Sequence, residues 1–218
     1  VEFYIIDLKG GLEFNRYRNL KQVKAISDDV HSAKKMLTDV LKEIDNDMSY
    51  FKENYYSNVL DTNINKRKFI IVDEGAELDP PPHLDSDEKK PYRFCQHALA
   101  EVARIAWALG YRLIFATQYP TADTLPRQIK QNSDAKISFR LPTEVASRVA
   151  IDENGAERLS VVGRAIYRTA DKYITQVPYV SDDEIIRRLE KYANDSGEKE
   201  TSTRRTDTIK FGWFNLCH

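Results

Sequence analysis

The amino-acid sequence predicts an α/β domain with a mostly parallel sheet and flanking helices. Short apolar runs alternate along the chain with longer stretches in which apolar residues recur every three or four positions. The apolar runs are nearly continuous, which is typical of strands buried on both faces of a sheet. Strands that alternate with helices form βαβ units, and the strands of such units run parallel.

Six segments are predicted to be strands. Four are apolar runs whose residues are largely β-branched or aromatic, and the last two follow each other closely enough to form an antiparallel pair within 163–179. The six segments are VEFYIID (1–7), FIIVD (69–73), RLIFATQ (112–118), AKISFRL (135–141), GRAIYRT and ITQVPY.

Four segments are predicted to be helices. The longest runs from Asp28 to Tyr56, with Ser27 and Asp28 as candidate caps, and a polar stretch precedes it. A loop is expected at 54–68, between this helix and the next strand. The predicted helices are 28–56, 91–110, 143–151 and 181–195.

Composition narrows the class of protein. A length of 218 residues suits one domain with a sizeable core, and the net charge of −1 neither requires nor excludes nucleic acid. No apolar run approaches the roughly 20 residues of a membrane helix, and no signal peptide is visible. Two cysteines, Cys95 and Cys217, form neither a disulfide framework nor a zinc motif, which favours a cytosolic location. Because Val1 already lies in a predicted strand, we expect a piece of a longer protein.

Polar residues follow three of the predicted strands, at Asp7–Lys9, Asp73–Glu74 and Thr117–Gln118. In open α/β sheets, ligands bind outside the carboxyl ends of the strands, so these residues predict a site at one edge. An acid pair after a buried strand has two interpretations. It is either a polar turn, or the Walker B pair of a nucleotide hydrolase, with one acid for Mg²⁺ and one for water.

The sequence contains no phosphate-binding loop of the form GxxxxGK[ST]. None of its eight glycines precedes a lysine, and Gly10–Gly11 after the first strand is predicted to be a tight turn.

Several motifs in a fixed order resemble the motor domain of the FtsK/SpoIIIE family of DNA translocases. They are FIIVDEGAEL, RLIFATQYPTADTLPRQIKQNSDAKISFRLPTEVASRVAIDENGAERL and GRAIY, while FYIIDLKGGLEFNRY is similar to the family's strand after the P-loop helix. DLKGGLEF and ATQYPTADTLP most resemble coupling proteins of conjugative elements in Gram-positive bacteria. The resemblance covers about 1–195 and leaves 196–218 as a polar tail with an apolar end.

The resemblance implies a RecA-like P-loop NTPase core, ATP and Mg²⁺ as cofactors, and a homo-oligomeric ring of six subunits. The ring would hydrolyse Mg-ATP between subunits and move double-stranded DNA, in conjugation or chromosome segregation. The Walker A strand, loop and helix would precede Val1, so this chain alone is expected to be inactive. A cytoplasmic location at the inner face of the membrane is implied, without membrane contact by this segment, and a relaxase or a secretion channel is a candidate partner.

The resemblance also implies roles for four residues. Asp73 would hold Mg²⁺ through water and Glu74 would position the attacking water. Gln118 would sense the γ-phosphate, and Arg148 would reach the nucleotide of the neighbouring subunit; a solvated surface arginine is the alternative for Arg148.

Seven further residues are candidate ligand contacts. Lys9, Thr117 and Arg140 are candidates for binding nucleotide, although Lys9 could instead pair with Asp7 and Arg140, within a predicted strand, with a local acid. The candidates for DNA phosphate contacts in the 52–68 loop are Lys52, Asn58, Lys66 and Arg67. A merely solvated loop is the alternative for these four.

Two other functions remain open from sequence. Because the P-loop is absent, the chain could be a non-catalytic module that binds DNA or protein. It could also belong to a protein-secretion ATPase of the type VII kind, which shares the core.

Overall fold

The computed structural model describes residues 1–121 and 124–194. A parallel four-stranded sheet forms its centre, and the predicted strands at 1–7, 69–73 and 112–118 are confirmed. The four strands are β1 (Glu2–Ile6), β2 (Val23–Ser27), β3 (Lys68–Val72) and β4 (Tyr111–Phe115). Their order in the sheet is β2-β1-β3-β4.

Strand β2 was not predicted, because the stretch before Ser27 reads as polar. It lies at the edge of the sheet and pairs only with β1 among the described strands. Of its five residues, only Ile26 and Ser27 are buried, and Lys24 is exposed. An edge strand needs no continuous apolar run, so the pattern that reveals β1 and β3 is missing here.

Helices α1 (Val30–Glu53) and α2 (Lys90–Ile105) pack against each other and cover one face of the sheet. The predicted helices at 28–56 and 91–110 are therefore confirmed, with shorter bounds. The helices and the sheet share one core, whose members include Ile6, Leu37, Val40, Ile70, Val72, Leu99 and Val102.

The cap of α1 differs from the prediction of Ser27 or Asp28. Asp29 is the N-cap, and its carboxylate accepts hydrogen bonds from the backbone N–H groups of His31 and Ser32 at 2.8 and 3.1 Å. A carboxylate at this position satisfies amide groups that the helix itself leaves unpaired.

Polar contacts join α1 to the amino ends of β3 and β4. The Lys68 ammonium lies 3.0 Å from a carboxylate oxygen of Glu43 and 2.8 Å from the Tyr111 hydroxyl. That hydroxyl donates to Asp47 at 2.7 Å. Burial raises the pKa of Tyr111, as does the hydrogen bond to Asp47, so the hydroxyl keeps its proton. These contacts fix the C-terminal half of α1 on the sheet.

A second, antiparallel sheet consists of β5 (Lys136–Ser138), β6 (Arg164–Arg168) and β7 (Lys172–Gln176). The predicted antiparallel pair within 163–179 is confirmed. The predicted strand at 135–141 is only three residues long and pairs with β6, so it does not extend the parallel sheet.

Three short helices complete the described structure. They are α3 (Arg127–Gln131), which was not predicted, α4 (Glu144–Ile151) and α5 (Asp182–Leu189), and the last two correspond to the predicted helices at 143–151 and 181–195. None of the helices among residues 1–121 and 124–194 is long and apolar enough to cross a membrane.

The last described residues contact the segment just before β2. Lys21 donates its backbone N–H to the Tyr192 carbonyl at 2.9 Å, and Asn194 donates to the Asn19 carbonyl at 2.8 Å. These bonds tie residues 19–21 to residues 192–194. The predicted polar tail at 196–218 lies outside the described residues.

Candidate functional site

The carboxyl ends of β1, β3 and β4 lie side by side. Ile6 pairs with Val72, and Val72 pairs with Phe115, in the parallel register. The ladder continues past the strands, since Asp73 donates its N–H to the Ile6 carbonyl at 3.0 Å and Ala116 donates to Val72 at 2.9 Å. The polar residues after these three strands therefore meet at one edge, as the sequence predicts.

The Glu74 carboxylate is the centre of this edge, and its side chain is only 2% exposed. The Thr117 hydroxyl donates to Oε1 at 2.5 Å and the backbone N–H of Gln118 donates to Oε2 at 3.0 Å. The N–H of Ala76 adds a bond to Oε1 at 3.2 Å. These donors lie in the segments that directly follow β3 and β4, and they hold the carboxylate in one orientation. Gln118 contributes its backbone here, and the residue is exposed.

Lys9 pairs with Glu74, not with Asp7. Its ammonium lies 3.4 Å from Glu74 Oε2, and its side chain is 37% exposed. The turn at Gly10–Gly11, where both φ angles are positive (83° and 68°), directs the chain back over the edge, as predicted. From the sequence, Lys9 could contact either phosphate or Asp7. In the structure its ion pair is with Glu74 and not with Asp7, and contact with phosphate stays a prediction.

Asp73 lies in an unusually acidic environment and is 6% exposed. Burial raises the pKa of the Asp73 carboxyl, and the nearby carboxylates of Glu13 and Asp7 raise it by more than the charge of Lys9 lowers it, to about 6 in all. A divalent cation would offset this concentration of negative charge. Carboxylate oxygens are the ligands that Mg²⁺ prefers, so the donor chemistry fits this ion.

No set of three or more His, Cys, Asp or Glu residues within 1–121 and 124–194 has the geometry to hold a metal ion alone. A magnesium ion at Asp73 would therefore complete its shell with water and phosphate oxygens, as is usual for this ion.

Gly75 permits the close contact between β3 and β4 at the site. A Cβ atom at this position would lie 2.1 Å from Cζ of the Phe115 ring, far inside contact distance. The Gly75 N–H also donates to the Ala116 carbonyl at 2.7 Å. The residue after the acid pair must therefore lack a side chain if Thr117 is to reach Glu74. This requirement was not predicted from the sequence, although the glycine directly after two acids was a visible signal.

Asp7 was predicted to lie at this edge, but no role in the site was assigned to it. It follows β1 as Asp73 follows β3, and it is only 1% exposed. Its equivalent position after a neighbouring strand was the signal that it could share the function of Asp73.

The two arginines expected to contact nucleotide lie elsewhere. Arg148 is on α4, where its guanidinium pairs with Glu144 at 2.6 Å, and its side chain is 64% exposed. Arg140 is exposed and lies two residues beyond the end of β5, so its predicted position within a strand is wrong. The strand ends early because only 136–138 pair with β6. The described partners of Glu74 include neither arginine.

The four candidate DNA contacts lie near the opposite, amino edge of the sheet. Lys52 is exposed but belongs to the last turn of α1, so its predicted place in a loop is wrong. The Asn58 side chain caps a short turn and accepts a hydrogen bond from the Leu60 N–H at 3.0 Å.

Lys66 and Arg67 both have contacts within the chain. The Lys66 ammonium lies 2.9 Å from Glu2 Oε1, and the Arg67 guanidinium donates to two backbone carbonyls of its own loop at 2.9 and 3.0 Å. The structure therefore separates these four residues from the acidic edge.

Curated relatives carry the name DNA translocase FtsK, and no family model matches the chain. The protein of Mesorhizobium japonicum is 34% identical over 118 residues, which are 53% of this chain and 12% of that protein. That of Leptospira interrogans is 32% identical over 125 residues, or 56% of this chain and 12% of that protein. That of Rickettsia bellii is 31% identical over 142 residues, or 63% and 18%. The chain thus matches less than a fifth of the length of these relatives.

Solved structures show the same fold. The pCW3 conjugation coupling protein TcpA, in its monomer form with ATPγS, superposes with a TM-score of 0.79 and 25% identity over 88% of this chain and 56% of that chain. The cytoplasmic domain of the type VII secretion ATPase EccC from Thermomonospora curvata gives a TM-score of 0.70 at 21% identity, over 89% and 24%. The predicted resemblance to the FtsK/SpoIIIE motor domain and the predicted fold class are confirmed by these similarities.

Proposed function

Starting from this similarity to FtsK/SpoIIIE-type motor domains, we propose that the chain is part of an ATP-driven translocase of double-stranded DNA. The observation that supports this most strongly is the meeting of Asp73, Glu74, Thr117 and Lys9 at one edge of the parallel sheet. Carboxylates, a hydroxyl and an ammonium group at such an edge suit the hydrolysis of a magnesium-bound triphosphate.

Glu74 would orient and activate the attacking water. Its carboxylate is held by Thr117 and by the Gln118 N–H, so one geometry is set before substrate arrives. The longest of the contacts described above is the 3.4 Å pair with Lys9. Transfer of this exposed ammonium from Oε2 to a phosphate oxygen would free a lone pair of Glu74 for water and would place Lys9 in its expected role.

Asp73 would hold Mg²⁺ through water. Bound Mg²⁺ would neutralise charge on the phosphate oxygens. The carboxyl has a pKa of about 6 in its acidic surroundings, so a cation would also favour its ionised form. Gln118 would sense the terminal phosphate, since its backbone is anchored on Glu74 while the residue remains exposed.

The remaining roles concern contacts between molecules. Arg148 and Arg140 would reach the nucleotide of a neighbouring subunit in a hexameric ring, and their exposure suits contacts in trans. DNA phosphates would contact Lys52, Asn58 and the lysine–arginine pair at 66–67. A relaxase or a secretion channel would be the partner in conjugation, with the ring at the cytoplasmic face of the membrane.

The replacement Glu74→Gln in the complete protein tests the catalytic role. We expect ATP turnover to fall by at least about 100-fold, because a positioned general base contributes this much or more, while nucleotide affinity stays the same. Glu77→Gln is the matched control, since Glu77 is an exposed acid in the following turn. Unchanged turnover in Glu74→Gln would exclude the proposed site.

Two alternative functions, protein export and non-catalytic binding, can be distinguished from DNA translocation by experiment. The similarity to the secretion ATPase EccC favours protein export as a second candidate, and binding to double-stranded DNA that weakens steeply with salt would argue against it. The absence of GxxxxGK[ST] from the sequence favours a non-catalytic module, which would explain an inactive isolated chain. Micromolar ATP affinity of this chain in calorimetry would contradict that alternative.

A further inference from the structure

Asp7 carries an anomaly that the proposed mechanism does not use. Its Oδ1 is the one buried side-chain nitrogen or oxygen atom without a hydrogen-bond partner among residues 1–121 and 124–194. The other oxygen, Oδ2, accepts a long bond of 3.4 Å from the Phe14 N–H. Burial of an unpaired carboxylate oxygen is costly and rare in native proteins, so such an atom calls for a ligand.

The neighbour of Asp7 across the sheet is Asp73. Each follows the last residue of its strand, and those last residues, Ile6 and Val72, are paired in register. Adjacent strands lie about 4.8 Å apart, so the two acids are side by side at the same edge. Their charges interact, because the Asp7 carboxylate is one of the groups that raise the pKa of Asp73.

The local charge is negative in excess. The carboxylates of Glu13 and Asp7 raise the pKa of Asp73 by more than the charge of Lys9 lowers it, and the ammonium of Lys9 lies at Glu74. Because a second acid follows the paired residue of the neighbouring strand, the missing partner of the buried oxygen should be positively charged. Two carboxylates with water and phosphate oxygens form the usual coordination shell of Mg²⁺ in nucleotide sites.

We propose that Asp7 is a second protein carboxylate of the divalent-cation site and holds the ion together with Asp73. This inference rests on the proposed function, which places the cation at Asp73. The site would take hard ions such as Mg²⁺ and Mn²⁺, since its donors are carboxylate oxygens.

The test uses Mn²⁺ alone with the 218-residue chain in the absence of nucleotide. Binding is measured by the loss of the free Mn²⁺ signal in electron paramagnetic resonance. We expect Asp7→Asn and Asp73→Asn each to weaken Mn²⁺ binding by at least about tenfold, the smallest loss typical of groups that support a metal. The exposed Asp79 supplies the matched control, and Asp79→Asn should bind Mn²⁺ like the unchanged chain.

A variant that keeps the charge separates ligation from a general charge effect. Asp7→Glu keeps the negative charge but shifts the carboxylate by one methylene group, so a pure charge effect would leave Mn²⁺ binding nearly unchanged. A tenfold loss in Asp7→Glu as well as in Asp7→Asn supports ligation by Asp7, and binding in Asp7→Glu like that of the unchanged chain overturns it. If circular dichroism shows that Asp7→Asn is unfolded, Asp7→Ser provides the same comparison.

The outcomes distinguish this inference from the proposed function. If Asp73→Asn weakens Mn²⁺ binding and Asp7→Asn does not, the role of Asp7 is overturned while the hydrolytic site stands. If the unchanged chain binds no Mn²⁺, the carboxylate pair is overturned, and the effect of Glu74→Gln on ATP turnover decides the function separately.

Discussion

Replacing Asp73 by Asn is expected to stabilise the metal-free chain at neutral pH. In the folded protein, burial and the neighbouring carboxylates raise the pKa of Asp73 from 3.8 to about 6. The native state therefore binds this proton more tightly than the unfolded state does. Stability from this group is fully present below pH 3.8 and is lost as the pH rises through about 6.

The magnitude follows from the shift. A change of one pKa unit corresponds to 1.36 kcal/mol, so ionised Asp73 costs the fold about 3 kcal/mol at pH 7. Asparagine has nearly the same shape and carries no charge. Asp73→Asn should therefore recover about 3 kcal/mol at pH 7 and almost nothing at pH 4, where the acid is protonated in the native state.

Urea unfolding in EDTA at both pH values measures this difference in the free energy of unfolding. Asp79→Asn serves as the control, because this exposed acid should show no pH-dependent gain. Two results would refute this reasoning. Either the Asp73→Asn chain is no more stable than the unchanged chain at pH 7, or it gains as much stability at pH 4 as at pH 7. Each would mean that ionised Asp73 does not destabilise the fold.

Three other substitutions probe contacts at the two edges of the sheet, the first two at the carboxyl edge and the third at the amino edge. Thr117→Val removes the 2.5 Å bond to Glu74 and should lower the free energy of unfolding by about 2 kcal/mol in a urea titration. Gly75→Ala forces a Cβ atom against the Phe115 ring and should cost about 1–3 kcal/mol in the same assay. Burial raises the pKa of Glu2, but ion pairs with two lysines lower it by more, so the net pKa lies below the ordinary value. Glu2→Gln should therefore lower the free energy of unfolding by about 1 kcal/mol at pH 7. That loss should shrink as acid titration passes through the lowered pKa.

Each of these substitutions has its own control. Thr117→Ser keeps the hydroxyl and should keep most of the stability, whereas equal losses in Ser and Val would point to packing. Gly75→Ala combined with Phe115→Leu should regain part of the loss, and no recovery would mean that the ring is not the obstacle. A Glu2→Gln loss that stays constant from pH 7 to low pH would argue against the ion pairs.

The parallel sheet was largely predictable because its central strands, β1 and β3, have nearly continuous apolar sequences. That pattern is typical of strands inside an α/β domain. The edge strand β2 has only two buried residues and escaped detection. β5 was predicted as a strand with longer bounds, and its sheet was not predicted, since a short apolar run does not encode the direction of its partner.

The position of the site was predictable, and most of its chemistry was not. Parallel topology alone brings the residues after β1, β3 and β4 to one edge. The bond from Thr117 to Glu74 and the steric need for Gly75 depend on how closely the strand ends approach, which the sequence does not state. The acidic surroundings of Asp73 include Glu13, which lies in the loop after β1 and is distant from Asp73 in sequence.

The most direct test of the central claim is a structure of the complete protein with ATPγS and Mg²⁺. We predict that the terminal phosphate lies at the carboxyl edge of the sheet. Glu74 should face the position of the attacking water, and water should bridge the cation to Asp73. A nucleotide bound at the amino edge, near Glu2 and Lys66, or a cation with no contact to either acid of the pair, would contradict it.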